Sequence, residues 1–321
     1  MPLKIALTGA TGFVGRAVVS AFAAESCRLS ALVREPARAG LNPSVRQVEG
    51  DLQSLAALDD LTRGADAVIH IAGVIGALSR DEFFAANEQG SRAVAEAAAR
   101  NGVARFVHIS SLAAREPELS LYGASKRAGE AAVEAFMDRM SVVILRPPAV
   151  YGPGDRGTLP LLRSLTQSLA VIPGRSTSRF SLIYVDDLAR IIVEAATAAR
   201  AGVVELDDGR RQGYGWRDLA HIAAASEQKS IKPIFLPKSV AMAVGMGAEA
   251  VARLRGKLPF VSPDKIQQLY FGDWVARGEG WPLKEPVDFA RGFKSTVDWY
   301  RKAQWLPERP AARRIATQER S

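Results

Sequence analysis

A tyrosine and a lysine four residues apart are the first side chains in this sequence with obvious chemical use. Tyr122 and Lys126 occur in Tyr-Gly-Ala-Ser-Lys at the start of a predicted helix, so both project from one face, one turn apart. A phenol has a pKa of about 10, too high for a base at neutral pH. A nearby ammonium favours the phenolate, so the phenol can exchange a proton with an alcohol or carbonyl as hydride moves.

Two further polar residues are expected to join this pair. Ser111 follows a predicted strand, eleven residues before Tyr122. Its hydroxyl can hydrogen-bond a substrate oxygen and polarise it without carrying charge. Asn87, on the helix before that strand, is expected to help hold Lys126 through a backbone or water contact. The candidate catalytic residues are therefore Ser111, Tyr122, Lys126 and Asn87.

A glycine-rich loop joins the first predicted strand to the first helix. Residues 8–15 read Thr-Gly-Ala-Thr-Gly-Phe-Val-Gly. In such a turn Gly9 permits the tight bend, Gly12 lets the backbone approach a pyrophosphate, and Gly15 lets the helix pack closely. The helix N-terminus presents unpaired N–H groups to the phosphates. The loop predicts dinucleotide binding by Gly9, Thr11, Gly12, Phe13, Val14 and Gly15.

Arg34 bears on which dinucleotide is bound. It lies at the end of the second predicted strand, where an acidic residue would accept hydrogen bonds from the ribose hydroxyls of NAD. A guanidinium there suits the 2′-phosphate of NADP, with Arg38 and Arg16 able to assist. Glu35 is one position late for the acidic role and keeps NAD as the alternative. The sequence favours NADP(H) over NAD(H).

Other predicted cofactor contacts lie at the ends of later strands. Asp51 either receives the adenine amino group or caps the helix that follows it, and both interpretations stay open. His70 is predicted to be a buried strand histidine and not a catalyst. Small residues after it would let a dinucleotide lie against the backbone. The further cofactor-binding candidates are Leu52, Ile71, Ala72, Gly73, Ser110, Pro147 and Val150, together with Tyr122 and Lys126.

The strand and helix patterns predict an α/β fold. Six Val- and Ile-rich strands in the first 150 residues are apolar on both faces and separated by helices, which is typical of a doubly wound parallel (Rossmann) sheet. A smaller, mainly helical C-terminal substrate lobe follows. We predict a dinucleotide-binding domain over 1–150, a lobe over 151–306 with 180–206 returning to the sheet, and a tail over 307–321. Residues from about 213 to 306 are predicted to be helical.

Composition narrows the function classes. The chain has 321 residues, 48% hydrophobic and 24% charged, as an ordinary globular protein does. The single cysteine, Cys27, excludes an intramolecular disulfide and favours a reducing compartment. With no cysteine–histidine cluster, no metal site is predicted. Without a signal peptide or a sufficiently long apolar stretch, we predict a cytoplasmic protein with no stable membrane insertion.

The net charge of +8 is distributed along the chain. No basic stripe or aromatic-interleaved basic motif is present, which argues against nucleic acid as a partner. A phosphate-bearing cofactor accounts for part of the excess. The expected partner is a small-molecule substrate.

The motifs together resemble the extended short-chain dehydrogenase/reductase family, the epimerase/dehydratase-like branch of the tyrosine-dependent oxidoreductases. The resemblance covers residues 3–200, through TGATGFVG at 8–15, GDL at 50–52, HIAG at 70–73, NEQGS at 87–91, ISS at 109–111, YGASK at 122–126, RPPAVYGPGD at 146–155 and IYVDDLA at 183–189. It implies that Tyr122 is the acid/base, Lys126 its partner and Ser111 the polarising hydroxyl, with Ser110 as the neighbouring candidate. It also implies that Asn87 completes a tetrad, and that a homodimer can form through two helices per subunit.

The sequence departs from the sugar-nucleotide members of that family. They usually carry an arginine just before a hydrophobic–His–Val–x–Asp stretch. Here Phe180 falls at the arginine position, Arg179 is offset by one, and Tyr184 replaces the histidine. A shift of one residue on an extended segment points the side chain to the opposite face. Apolar residues over 235–237 and 258–274 fit either a hydrophobic substrate pocket or core packing.

We therefore predict an NAD(P)-dependent oxidoreductase that acts on a carbonyl or secondary alcohol of a small, hydrophobic substrate, with Tyr122 as acid/base. One alternative is an NAD-dependent sugar-nucleotide epimerase or dehydratase, although dehydratases usually carry an acidic pair where this chain has Ser111-Leu112. The other is a non-catalytic NADP(H)-binding scaffold or assembly subunit. Such members usually lose the tyrosine or the lysine, and this chain has both.

Overall fold

The computed structural model describes residues 2–257 and 262–308. Its strands are β1 (Leu3–Thr8), β2 (Cys27–Val33), β3 (Arg46–Glu49), β4 (Ala67–His70), β5 (Arg105–Ile109), β6 (Ser141–Arg146), β7 (Ala149–Tyr151), β8 (Leu169–Ile172), β9 (Arg179–Phe180), β10 (Leu182–Tyr184), β11 (Gly202–Glu205), β12 (Tyr214–Gly215), β13 (Lys232–Phe235) and β14 (Asp273–Trp274). Its helices are α1 (Phe13–Phe22), α2 (Pro36–Ala39), α3 (Leu55–Thr62), α4 (Arg80–Phe84), α5 (Gly90–Arg100), α6 (Leu121–Glu134), α7 (Leu159–Ser164), α8 (Val185–Ala195), α9 (Trp216–Glu227), α10 (Lys238–Leu254), α11 (Pro263–Tyr270) and α12 (Phe289–Lys302).

Seven parallel strands form the main sheet, in the order β3-β2-β1-β4-β5-β6-β11. The order reverses between β1 and β4, which is the position where a doubly wound sheet opens a binding crevice. Thr8 at the end of β1 is level with His70 at the end of β4. The loops that follow these strands therefore emerge at one edge. The predicted Rossmann sheet is confirmed.

Each face of the sheet is covered because its strands alternate their apolar side chains. Ile5 and Leu7 of β1 pack in a core that contains residues of α1 and α8, whereas Ala6 points into a core shared with α3 and α5. Both cores are built from fully buried aliphatic residues. A sheet that is buried on both faces leaves the ends of its strands for polar side chains and ligands.

The C-terminal lobe is mainly helical, as predicted, but it contains short strands that the sequence pattern does not reveal. β12 and β14 flank β9 in a small sheet, and β13 pairs with β8. Strands of two to four residues are too short for an alternating pattern to be recognised. The lobe has its own aromatic core, which includes Phe289, Phe293 and Tyr300.

The segment predicted to return to the main sheet does so in part. β11 pairs with β6 at the edge of that sheet, and α8 covers the sheet beside α1. β9 and β10 instead pair within small sheets. The domain boundaries stay a prediction. No helix in the described ranges has both the length and the apolarity needed to span a bilayer.

Candidate active site

The glycine loop folds onto itself and onto the end of β4. Gly9 has a φ of 80°, and a Cβ there would lie 2.6 Å from the backbone nitrogen of Ala72. A Cβ on Gly15 would lie 2.0 Å from the carbonyl oxygen of Gly9. The absence of a side chain at Gly15 thus lets the first turn of α1 pack directly on the backbone of the loop at Gly9. The sequence predicts close packing of the helix at Gly15. Any side chain at these two positions would displace the backbone.

The start of α1 is open to an anionic ligand. Gly12 is the N-cap of α1, no side chain caps the helix, and its first turn contains no acidic residue. The first N–H groups of a helix lack partners within it, and they carry a partial positive charge. Thr11 is exposed, and Phe13 and Val14 are half-buried in the first turn. This cradle fits the pyrophosphate of a dinucleotide.

Asp51 and Arg34 lie beyond that loop. Asp51 Oδ1 accepts hydrogen bonds from Gln53 N and Ser54 Oγ, both at 2.9 Å, so the carboxylate stabilises the turn before α3. These bonds lower its pKa, the one from Ser54 most, and the charge of Arg34 contributes further. Asp51 does not cap α3, whose N-cap is Ser54, and its contact with adenine stays a prediction. Arg34 itself is exposed at the end of β2.

The two arginines expected to assist Arg34 make other contacts. Arg38 pairs with Glu35 at 2.9 Å, with both side chains mostly exposed. Arg16 donates to three backbone carbonyls, which fixes its guanidinium beside the glycine loop. Arg34 is the remaining candidate for a 2′-phosphate.

His70 is buried in β4, and its ring joins two strands to a helix. Its Nδ1 lies 2.7 Å from Thr8 Oγ1, and its Nε2 lies 3.0 Å from Ser91 Oγ. Burial, and then the charge of Lys126, lower its pKa to about 3. The ring is therefore neutral at neutral pH, and its contacts are structural.

The remaining predicted cofactor residues lie at or just beyond the carboxyl ends of the strands. Ile71 and Ala72 are half-buried and Gly73 is exposed after β4, while Val150 is half-buried on β7. Leu52 packs beside Gly90, and Pro147 accepts a hydrogen bond from Leu112 N at 2.8 Å. Their contact with a cofactor stays a prediction.

Ser111 and Tyr122 come together at the end of β5. The Ser111 side chain accepts a hydrogen bond from Ala113 N at 3.2 Å, which fixes it at the start of a short turn. Ser120 caps α6 through Gly123 N at 2.9 Å, so Tyr122 is held in the first turn of the helix. The Ser111 hydroxyl lies close enough to the Tyr122 phenol to lower its pKa.

The protonation of Tyr122 differs from the sequence-based expectation. Burial raises its pKa, and the Ser111 hydroxyl offsets only part of that effect. The Lys126 ammonium donates to the carbonyl of Ile109 at 2.7 Å. A phenol with a raised pKa keeps its proton at neutral pH, which suits donation to a carbonyl more than removal of a proton from an alcohol.

Lys126 is buried next to the end of β4. Burial lowers its pKa to about 8, against the opposing charge of Glu130. A Cβ on Gly73 would lie 3.8 Å from Lys126 Nζ and 2.7 Å from Asn87 Oδ1. The backbone after β4 therefore passes directly over the lysine and the asparagine, and a side chain at position 73 would exclude a ligand from them.

Asn87 lies in a π-helical turn over Ala85–Gln89, between α4 and α5. Its side chain holds the backbone of Val74 through two hydrogen bonds, at 2.8 and 3.0 Å, and donates to Ser125 Oγ at 2.9 Å. Among the described residues no direct hydrogen bond joins it to Lys126. Asn87 fixes the loop beside the lysine, and π turns are frequent at functional sites.

A buried ion pair that the sequence reasoning missed lies behind the site. Glu130 is fully buried, and Arg146 donates to both of its oxygens, at 2.8 and 2.6 Å. Ser110 Oγ also donates to it at 2.5 Å. Burial alone raises the pKa of Glu130, but these hydrogen bonds outweigh it and the pKa is lowered. One signal was available, since Glu130 lies one turn beyond Lys126.

Ser110 is therefore not brought to the reacting side. Its hydroxyl is 4% exposed and bound to Glu130, whereas Ser111 reaches Tyr122. Successive side chains of extended backbone point to opposite sides, so one serine supports the site from behind and the other faces it. Contact of Ser110 with the cofactor stays a prediction, and its hydroxyl is used by Glu130.

Arg115 links the turn after Ser111 to the C-terminal lobe. It donates to Glu205 at 3.0 Å and to the carbonyls of Val275 and Asp273, at 2.8 and 2.6 Å. The turn is thus attached to β11 and to the segment that contains β14. One guanidinium therefore joins the lobe to the turn that follows Ser111.

The structure shows where the side chains lie at positions 179 and 180, at which the sequence departs from the sugar-nucleotide members of the family. Phe180 is buried and stacks near Trp216, with ring centroids 4.5 Å apart. Arg179 points outward and donates to the carbonyls of Gln212 and Gly213. Neither side chain is arranged as a pyrophosphate-binding arginine would be.

The apolar residues suspected of lining a substrate pocket pack mainly as core. Phe235 and Trp274 border the lobe core, and Tyr270 belongs to a small cluster between α10 and α11. This agrees with the core-packing interpretation for these three. Residues 258–261 of that region lie outside the described residues.

Known proteins can now be compared with this geometry. The sequence model of the NAD dependent epimerase/dehydratase family matches residues 5–206. A ceramide reductase of Caulobacter vibrioides is 42% identical over 313 residues, covering 95% of this chain and 96% of that protein. The N-acetyl-alpha-D-glucosaminyl-diphospho-ditrans,octacis-undecaprenol 4-epimerase of Escherichia coli O157:H7 is 24% identical and covers 83% and 85%. The solved UDP-glucuronic acid 4-epimerase of Bacillus cereus, in complex with UDP-glucuronic acid and NAD, is 20% identical with a TM-score of 0.67, covering 94% and 100%.

The sheet, the glycine loop and these relatives define a Rossmann-fold oxidoreductase that uses a nicotinamide cofactor. The chain belongs to the NAD dependent epimerase/dehydratase family. The predicted resemblance and the prediction of an enzyme are both confirmed. The likeness to the Bacillus structure supports the fold alone.

Proposed function

We propose that the chain reduces a ketone on a ceramide-type lipid to the secondary alcohol, with NADPH as the preferred reductant and Ser111, Tyr122, Lys126 and Asn87 as the site. The observation that carries the chemistry is that Ser111, Tyr122 and Lys126 gather at the end of β5, where Ser111 acts on the pKa of the phenol and Lys126 donates to the carbonyl of Ile109. The substrate class comes from the ceramide reductase that is 42% identical over nearly the whole chain.

The residues act on the substrate oxygen. Ser111 donates a hydrogen bond that polarises the carbonyl, and Tyr122 gives its proton to that oxygen as the carbon gains hydride. The cofactor, when bound, supplies the hydride. Tyr122 is left as a phenolate, which the charge of Lys126 stabilises until a proton returns. One ketone, one hydride and one proton thus give one secondary alcohol.

The contacts of Asn87 support a positioning role. Its three hydrogen bonds to Val74 and Ser125 hold the loop after β4 over Lys126. The lysine is thereby kept where its charge reaches the phenolate. Gly73 keeps that side of the site accessible to the cofactor.

NADPH is favoured by Arg34, which is exposed at the end of β2 with no acidic residue in its place. Its guanidinium can donate two charge-assisted hydrogen bonds to a 2′-phosphate. The arrangement of Arg179 and Phe180 disfavours a sugar nucleotide as substrate. We place the activity in the cytoplasm, whose reducing conditions suit the free Cys27. A homodimer stays a prediction.

The test is an assay of the purified protein. A ceramide with its secondary hydroxyl oxidised to a ketone is supplied in detergent micelles with NADPH or NADH, and reduced nicotinamide is followed by absorbance. Mass spectrometry should find the alcohol, with faster turnover on NADPH. No reduction of the ketone, together with interconversion of UDP-sugars, would assign the chain to the epimerases instead.

A further inference from the structure

Helix α10 carries two separate apolar faces. One face packs on α11. Ala241 shares a cluster with Ile266 and Tyr270, and a Cβ on Gly245 would lie 2.4 Å from Ile266 Cδ1. This face is enough to hold the helix on the lobe, since one apolar stripe is what a surface helix requires.

The second face points to solvent. Val240, Val244, Val251 and Leu254, which we term the α10 stripe, fall within roughly 80° of one another at the helical repeat. Val244 is 61% exposed and Leu254 89%. Between positions 239 and 254, no exposed side chain that the structure describes is charged. An uninterrupted apolar stripe along a helix of 17 residues marks an interaction surface.

The exposed charges at the two ends of the α10 stripe all have one sign, and Glu249 on the helix is half-buried. From position 232 to 257, the exposed charged side chains that the structure describes are Lys232, Lys238, Arg255 and Lys257. They lie at or beyond the two ends of the helix. Apolar residues flanked by basic ones are typical of helices that lie in the surface of an anionic bilayer.

The same charges disfavour a second copy of the chain as the occupant. Both ends of the α10 stripe are basic. If two copies of α10 packed against each other, basic ends would meet in either the parallel or the antiparallel orientation. Like charges placed against each other oppose association. The net charge of +8 adds to that repulsion.

The α10 stripe is one helix away from the reacting tyrosine. α11, which packs under α10, contacts the start of α6: Asp264 accepts from Leu121 N at 3.1 Å, and Gln268 donates to Ser120 Oγ. Leu121 immediately precedes Tyr122. A surface that binds α10 is therefore connected through α11 to the site.

We propose that α10 lies in the surface of an anionic membrane, with the α10 stripe among the acyl chains and the basic residues at the headgroups. The lipid substrate is then taken directly from the bilayer, a point that rests on the proposed function. The helix lies on the membrane without crossing it, in keeping with its length of 17 residues.

The test is cosedimentation of the full chain with vesicles of phosphatidylcholine, with and without phosphatidylglycerol. Wild type should bind the vesicles that contain phosphatidylglycerol. The double variant Val244→Glu/Val251→Glu should lose at least about tenfold in affinity, because it places two charges among acyl chains. The triple variant Lys238→Gln/Arg255→Gln/Lys257→Gln should lose the preference for the anionic lipid.

Met137→Glu is the matched control. Met137 is an exposed apolar residue just before β6, at the opposite edge of the sheet from the site, and its variant should bind as wild type does. Equal binding by wild type and the Val244/Val251 variant would overturn the proposal. So would a wild-type dimer that this variant converts to monomer in sedimentation velocity.

The two proposals fail separately. If the protein reduces the lipid ketone in micelles but does not bind vesicles, only the proposal that α10 binds a membrane is overturned. Vesicle binding that depends on the α10 stripe, with no turnover of the ketone in micelles, would support the surface and overturn the proposed function. The Val244/Val251 variant should keep wild-type turnover in micelles.

Discussion

The end of β5 and helix α10 differ in whether their side chains have interaction partners within the described protein. Around Tyr122 each polar group has a partner of its own within the protein: Ser111 for the phenol, a carbonyl for Lys126, Val74 for Asn87. On α10 a stripe of aliphatic side chains faces outward with no described partner. The described residues of the first region satisfy one another, and the second is the surface that we propose binds a membrane.

The difference teaches that chemistry and substrate access are carried by different parts of this fold. The reacting groups are fixed to the sheet, whose geometry the family shares. The lobe is where we propose that the lipid substrate enters. Arg115 joins the lobe to the turn after Ser111, and Asp264 and Gln268 join it to the start of α6.

Tyr122→Phe is expected to have the largest effect. Removing the phenolic oxygen removes the proton donor, so kcat should fall roughly 10²- to 10⁴-fold. Affinity for reduced nicotinamide, measured by fluorescence titration, should change little. Wild-type turnover by this variant would contradict the assignment of chemistry to the end of β5.

Glu130→Gln tests how much the buried ion pair behind the site stabilises the fold. Removing the buried carboxylate charge leaves Arg146 with only its longer ion pair, to Glu205 at 3.6 Å, and the free energy of unfolding should fall by about 3 kcal/mol. Asp60→Asn is the matched control, since the Arg46–Asp60 pair is about half exposed and should cost less than about 1 kcal/mol. Equal losses in urea titrations would remove the distinction between the two pairs.

The pH dependence of ketone reduction should follow Lys126. Its pKa is lowered to about 8 by burial, and reduction needs the ammonium charged. The rate should therefore be steady below pH 8 and fall about tenfold per unit above it, because the proton is lost as pH rises. Whatever activity Lys126→Arg retains should lack this decline, since a guanidinium stays charged. A wild-type profile that is flat to pH 10 would exclude the ammonium as the titrating group.

Arg34→Ala should have the smallest effect. An exposed charge contact contributes roughly 1 kcal/mol, so affinity for NADPH should fall about fivefold and that for NADH should stay the same. Arg38→Ala, which removes a residue paired with Glu35, is the control and should change neither. Equal losses for both cofactors in a fluorescence titration would refute the 2′-phosphate contact.

The sequence was sufficient wherever a residue's role is set by its near neighbours in the chain. Gly9 and Gly15 are close because one turn of loop separates them, and Tyr122 and Lys126 share a helix face. The parallel direction of the strands in the sheet follows from the same local alternation of strand and helix. These features needed no knowledge of distant contacts.

The rest depended on contacts between distant segments. Glu130 could be placed on the face of Lys126, but its pairing with Arg146 requires α6 to cover β6. The raised pKa of Tyr122 depends on burial, which a motif does not report. The short strands β12 and β14 exist only because β9 lies between them.

The π-helical turn over Ala85–Gln89 has a consequence for how this protein tolerates insertions and deletions. Such a turn accommodates one residue more than an α-helix would over the same rise. Deleting a single residue there would regularise the helix and rotate what precedes it by about 100° relative to α5. Asn87 would then lose its hydrogen bonds to Val74 and Ser125. The π-helical turn is therefore what orients the Asn87 side chain toward these partners.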